Sequence, residues 1–129
     1  MNAHGIAILL TLVVVSACGS IFDSTECTTE ARPGIRLEVL DSATRAPAGG
    51  AAALIIARDG SLADTARSFS PDSSAEAQFA VLAFERPGIY EITVQRAGYH
   101  LWRRSGVRVM SGECHVRTVE ITALLQRLS

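Results

Sequence analysis

Three cysteines are the most reactive side chains of this 129-residue chain: Cys18, Cys27 and Cys114. A thiolate can accept an acyl or alkyl group, pair with a second thiol, or bind a metal ion. A metal site needs three or four ligands at recognisable spacing. Cys114-His115 is one adjacent pair, whose members point to opposite faces if the segment is a strand, and Cys27 has no second Cys or His beside it. The histidines are His4, His100 and His115. No His-Glu-x-x-His, phosphate loop or Gly-x-Ser-x-Gly elbow occurs, and the absence of lysine excludes Schiff-base chemistry. His115 with a distant Ser and Asp is the nearest approach to a triad. The reading is a non-enzyme with no catalytic residue, no cofactor and no metal. One further segment, Tyr99-His100-Leu101-Trp102-Arg103-Arg104, holds the single Trp beside two arginines. Aromatic and Arg residues are enriched at binding hot spots, so Tyr99, Trp102, Arg103 and Arg104 form a candidate contact patch on a loop. The competing reading has Tyr99 and Trp102 capping one end of a core while the arginines stay solvated.

Cys18 ends a distinctive leader. Ile6 to Ala17 is an almost unbroken apolar run, too short for a permanent span of about 20 residues but of the length of a signal-peptide h-region. The run closes on Val15-Ser16-Ala17-Cys18. That tetrapeptide resembles the lipobox of bacterial lipoproteins, an aliphatic residue and two small ones before a cysteine. The resemblance implies that residues 1–17 are a signal peptide, that Cys18 receives diacylglycerol and becomes the mature N-terminus, and that the chain is exported and held on a membrane. With Gly19 after the cysteine, the outer membrane is expected if the cell is Gram-negative. Several acyl chains, at about 0.8 kcal/mol per buried methylene, anchor stably. Met1 to Gly5 carries no Arg or Lys, which departs from the usual basic start. Cleavage by a different peptidase, a misplaced start codon that omits basic residues, and a buried core helix are the alternatives.

With Cys18 lipidated, Cys27 and Cys114 remain as an even pair in an oxidising compartment. A disulfide between them is expected, with two separate buried thiols as the bland alternative. In the chain-entropy view a loop of that length is worth about 4–5 kcal/mol at most.

The elements that must position these residues follow from pattern. One domain is expected, and the formal net charge of −1 argues against a nucleic-acid partner. Aromatics make up 5%, so Ile, Val, Leu and Ala must fill the core. Residues 18–33 read as a polar tether. Ile35 to Val39 alternates as a half-buried strand, and Asp41 to Pro47 has turn chemistry. Ala51 to Ala57 reads as a well-buried strand, Asp59-Gly60 as a hairpin turn, Ser61 to Phe69 as its return, and Pro71 to Ser74 as a break. Ala77 to Phe84 is a strand, Arg86-Pro87-Gly88 a turn, and Ile89 to Arg96 the clearest strand, with Tyr90, Ile92 and Val94 on one face. Ala97-Gly98 breaks the chain. Val107 to Val109 is a short strand between breaks at Ser105-Gly106 and Ser111-Gly112. Cys114 to Leu125 closes as one long strand, bulged where its apolar phase shifts between Val116 and Val119; a helical turn over Leu124 to Leu128 competes there. About seven short strands predict an all-β, antiparallel sandwich.

In order, these pieces resemble the carboxypeptidase regulatory-like domain, a transthyretin-like β-sandwich. Leu37 to Pro47 is similar to its opening strand and "D-x-x-T-x-x-P" turn, and Gly50 to Ile56 to its second strand. Arg86 to Val94 is similar to its "P-G-x-Y-x-(L/V)-x-V" strand, and Ala97-Gly98-Tyr99 to the "x-G-Y" ending. The family's "D-x-x-G-x-F" turn has no glycine here, in Ser74 to Phe79. The likeness covers residues 34–125 and is assigned to a domain of 34–129. It implies a non-catalytic binding or scaffold module, whose partner is an envelope protein or glycan. A small-ligand carrier, or a transthyretin-like enzyme using a cavity or dimer groove, is the alternative.

Overall fold

A computed structural model describes residues 25–50, 52–67 and 79–129. The leader 1–17, Cys18 and the Pro71–Ser74 break lie outside the described residues, as does the glycine-less segment as far as residue 78.

Eight strands form among the described residues: β1 (Ile35–Asp41), β2 (Leu54–Asp59), β3 (Leu62–Arg67), β4 (Phe79–Leu82), β5 (Gly88–Gln95), β6 (Trp102–Ser111), β7 (Val116–Arg117) and β8 (Val119–Leu125). They make a three-stranded sheet, β4-β1-β8, and a five-stranded sheet, β3-β2-β5-β6-β7. The two pack face to face as a β-sandwich, as the pattern predicts. Period-two alternation decides which side chains meet between them. Ile35, Leu37 and Val39 of β1 face Ile55 and Ala57 of β2 and Tyr90, Ile92 and Val94 of β5, all of them buried. The Tyr90 hydroxyl donates to the Arg86 carbonyl at 3.0 Å, so the largest core side chain brings no unsatisfied polar atom with it.

Several expectations change in detail. The sandwich is not wholly antiparallel: β8 lies parallel to β1, from Ile35 opposite Val119 to Asp41 opposite Leu125. The apolar run at 51–57 does not begin the second strand. β2 starts at Leu54, runs to Asp59, and buries only alternate residues. The two-residue turn Gly60-Ser61 then returns the chain, pairing Asp59 with Leu62, and Gly60 takes φ +57. The bend expected at Arg86 to Gly88 sits earlier, at Phe84-Glu85, with the Arg86 amide donating to the Ala83 carbonyl.

Two corrections concern the C-terminal third. Ser105-Gly106 does not break the chain. Both residues oppose Glu91 as a bulge within a ten-residue β6, and Gly106 takes φ +71, where a glycine is at ease. The phase shift between Val116 and Val119 is not a bulge in one strand. There the chain leaves the five-stranded sheet as β7 and enters the three-stranded sheet as β8. Thr118 marks the crossing: its hydroxyl donates to the Pro33 carbonyl at 2.7 Å, and the Val119 amide donates to the Gly34 carbonyl. Leu124 and Leu125 stay in strand, and residue 127 bridges back to Tyr99, so no helical turn forms.

Candidate functional site

The expected tether is not free along its whole length. From Thr25 to Gly34 it is strapped to the turn between β6 and β7 and to the start of β8. Thr25 donates to Glu113 at 2.7 Å. Cys27 and Cys114 form a disulfide, with their Cα atoms 5.2 Å apart across 87 residues of sequence. One residue on, Thr28 Oγ1 lies 2.9 Å from His115 Nε2, and His115 Nδ1 lies 2.6 Å from Glu85 Oε1. A carboxylate at Nδ1 favours a proton there; in the neutral ring Nε2 then accepts from the Thr28 hydroxyl, and in the imidazolium it donates to it. Glu85 also accepts the Arg32 and Val116 amides, at 2.7 and 3.3 Å. These bonds, the Arg32 amide first, hold its carboxyl below the usual range against a partial burial that pushes the other way.

The order hydroxyl, imidazole, carboxylate is that of an acyl-transfer triad. Here, though, Thr28 sits exposed on the strap, and the carboxylate is shared with two backbone amides. What the array does as placed is tie the strap to the body. A shallow hollow of about 220 Å³, lined by Glu85, Ser111, Gly112, Cys114 and His115, opens beside it.

At the end of β1 lies a second polar knot. Asp41 is the one buried charged side chain among the described residues. It follows from alternation: Asp41 continues the inward row of Ile35, Leu37 and Val39. Its Oδ1 accepts the Ala43 and Thr44 amides, at 2.9 and 3.0 Å, an Asx-type turn that starts the loop to Pro47. Its Oδ2 accepts the Tyr99 hydroxyl at 3.0 Å and Arg127 Nε at 2.6 Å. The Thr44 amide and Arg127, in that order, hold its carboxyl far below the ordinary carboxylate range, and Asp41 in turn raises Arg127. The guanidinium groups of Arg96 and Arg127 both lie over the Tyr99 ring, 5.4 and 5.5 Å from its centre.

This bears on the expected contact patch. Tyr99 is engaged at its hydroxyl and its ring. The segment after it is not a loop throughout, because β6 begins at Trp102. Trp102 pairs with buried Val94 and packs, half-buried, against the core; Arg103 pairs with Thr93 and faces out on the other side, 3.6 Å from Glu91. Arg104 is exposed. The structure therefore divides Trp102 and Arg103 between opposite faces of β6. Trp102 instead joins His100, Leu101, Leu124, Gln126 and Ser42 around an open hollow of about 350 Å³, with Leu101 exposed at its rim.

Residue-type reasoning found the cysteine pair, and it singled out Trp102, which lines the open hollow. It missed Glu85 and the bonded role of His115, and it read Asp41 only as a turn former. The Asp-Ser-Ala-Thr signature did announce the Asx turn, but nothing in the sequence marks Arg127 as its partner 86 positions away. Among the described residues, no group of three or more His, Cys, Asp or Glu side chains could hold a metal ion. No protein-family model matches the chain, and comparison with curated proteins finds no match.

Proposed function

We propose that this chain is a lipid-anchored, non-catalytic module of the cell envelope, of carboxypeptidase regulatory-like type, that binds or scaffolds an envelope protein or glycan. The observation that carries the reading is the Cys27–Cys114 disulfide. Such bonds persist in exported proteins and are rare in the reducing cytosol, so the bond agrees with the leader that ends at Cys18. It also leaves Cys18 as the remaining thiol, which is what acylation needs.

Its position supports the reading further. The disulfide and its flanking hydrogen bonds fix the chain nine residues after Cys18, where an anchored domain would take the pull of its tether. The open hollow beside Trp102 is the best candidate for partner contact, since an aromatic wall and the exposed Leu101 meet polar Ser42, His100 and Gln126 there.

Intact mass of the chain extracted from membranes tests the anchor. Acylated Cys18 at the N-terminus is expected, and Cys18→Ser should release the chain into the soluble fraction. An unmodified, soluble wild-type chain refutes it. For the binding surface, Trp102→Ala should weaken capture of a cross-linked envelope partner at least tenfold, and unchanged cross-linking removes the hollow from the proposal.

A further inference from the structure

The outer faces of the two sheets carry opposite charge. On the three-stranded sheet, Arg36 pairs with Glu120 at 3.4 Å, and Glu38 accepts from Thr122. One arginine thus stands against two glutamates.

On the five-stranded sheet, the positions that alternate with buried Ala57, Tyr90, Ile92, Val107, Val109 and Val116 hold Arg58, Arg103, Arg108 and Arg117, all exposed. The acid among them is Glu91, which takes Arg103 and Ser105 as partners. Among the described residues, Arg58, Arg108 and Arg117 make no ion pair. Between them stand two exposed apolar side chains, Ile89 beside Arg108 and Met110 beside Arg117. Among the described side chains, a face of four arginines, one acid and two exposed apolar groups suits an anionic surface into whose boundary Ile89 and Met110 can press.

The disulfide settles which edge of this face the tether reaches. Cys114 lies in the turn joining β6 to β7, at the end of the face where Met110 and Arg117 stand. Gly19 to Glu26, eight residues, separate Cys18 from Cys27. Fully extended, that link spans about 30 Å, no more than the width of a domain this size. A tether so short keeps the domain within reach of its membrane, so even weak attraction suffices to orient it.

We propose that the outer face of the five-stranded sheet rests on anionic phospholipid headgroups of the membrane that holds Cys18, an inference that builds on the anchoring reading above. The three-stranded sheet and the Trp102 hollow are then left free for a partner.

The test uses the mature chain carrying Cys18→Ser, exported behind a conventionally cleaved leader, with vesicles of phosphatidylcholine alone or mixed with phosphatidylglycerol. The wild-type surface should sediment with the mixed vesicles and release as salt is raised. Each arginine near an anionic leaflet contributes about fivefold, so Arg58→Glu, Arg108→Glu and Arg117→Glu together should lower partitioning at least a hundredfold. Arg36→Gln, on the opposite face, should leave it unchanged, and every variant should keep a cooperative melt. Equal sedimentation with both vesicle types, or an unaffected triple variant, overturns the proposal. So does a triple variant that loses retention on an acidic polysaccharide yet still binds mixed vesicles, which would assign the face to a glycan. The mass of Cys18 is measured separately. An acylated chain whose triple variant still binds keeps the anchor and loses the face. An unacylated chain whose triple variant fails to bind keeps the face and loses the anchor.

Discussion

The domain fixes its two ends by different chemistry. The incoming chain is held by the strap: a disulfide flanked by Thr25–Glu113, Thr28–His115–Glu85 and Thr118–Pro33, in contact with solvent throughout. The outgoing chain is held at Asp41, where a buried carboxylate gathers two amides, a phenol and the guanidinium of Arg127, two residues after the end of β8. The covalent knot sits where an anchor would pull. The polar knot sits where β1 and β8 end, and there it sets register: it ties the parallel pair at its last residue pair, Asp41 opposite Leu125. Hydrogen bonds near solvent are individually weak and a buried charge is costly unless fully paired, so each end carries the device its surroundings allow.

The largest break in this comparison comes from the covalent knot. Replacing Cys27 and Cys114 by Ser frees a loop of 87 residues, worth up to about 4–5 kcal/mol on the chain-entropy view. The melting temperature should fall by on the order of 20 °C, and reductant should reproduce the shift in wild type while doing nothing to the double variant. A melting temperature unmoved by reductant would show that the hydrogen bonds of the strap suffice without the bond.

Next comes Asp41. Its pKa is depressed in the folded state, so its contribution is present above the unfolded value near 4 and is lost as the pH falls through the folded value. Glu85 acts in the same direction. Wild type should therefore weaken steadily below about pH 4. Asp41→Asn keeps an oxygen for the Ala43 and Thr44 amides but turns an NH₂ toward Arg127, donor against donor. The variant should be less stable at pH 7 and should lose less on acidification. Parallel melts at pH 7 and pH 3 decide it, and equal acid sensitivity in both proteins would take the node out of the account.

How far the sequence foretold these two knots differs for a physical reason. Strands whose burial alternates along one continuous run were legible: β1, β5 and the hairpin at Gly60 all follow local pattern. The disulfide was legible too, because pairing two thiols needs only a count and a compartment. The switch from β7 to β8 was visible as a phase shift at Thr118, yet a bulge and a change of sheet give the same local signal, and only the partner strand tells them apart. The parallel pairing of β8, the Asp41–Arg127 bond and the Thr28–His115 contact of the strap all join residues more than 80 positions apart, and local periodicity does not say which distant segment a strand or side chain will meet. The same holds for the Trp102 segment. Alternation within a strand separates Trp102 from Arg103, but that argument required knowing that a strand begins at Trp102.

A smaller test stays at the polar knot. Tyr99→Phe removes the hydroxyl given to Asp41 Oδ2 while keeping the ring between Arg96 and Arg127. The cost should be about 1 kcal/mol, the net worth of one intramolecular hydrogen bond. Urea unfolding measures it, and the slope should stay at its wild-type value because the surface exposed on unfolding is unchanged. A loss as large as that of Asp41→Asn would mean that Tyr99, not Arg127, holds the carboxylate in place.

The smallest effect belongs to His115. Its bonds to Thr28 and Glu85 lie at the surface beside a disulfide that already fixes the strap. His115→Gln should therefore move the wild-type melting temperature by a few degrees at most. Made in the Cys27→Ser, Cys114→Ser background, the same change should do more. Without the disulfide, the Thr28–His115–Glu85 relay becomes a main tie holding residues 25–33 to the body, so the two contributions are not additive. Hydrogen exchange at the Val119 amide, which donates to Gly34 at the end of the strap, reads this directly. Exchange there should be slow in wild type, little changed in His115→Gln, and fast only when both ties are cut. If His115→Gln alone speeds it as much as loss of the disulfide does, the order of importance is reversed: the hydrogen bonds seat the strap, and the disulfide only locks what they have placed.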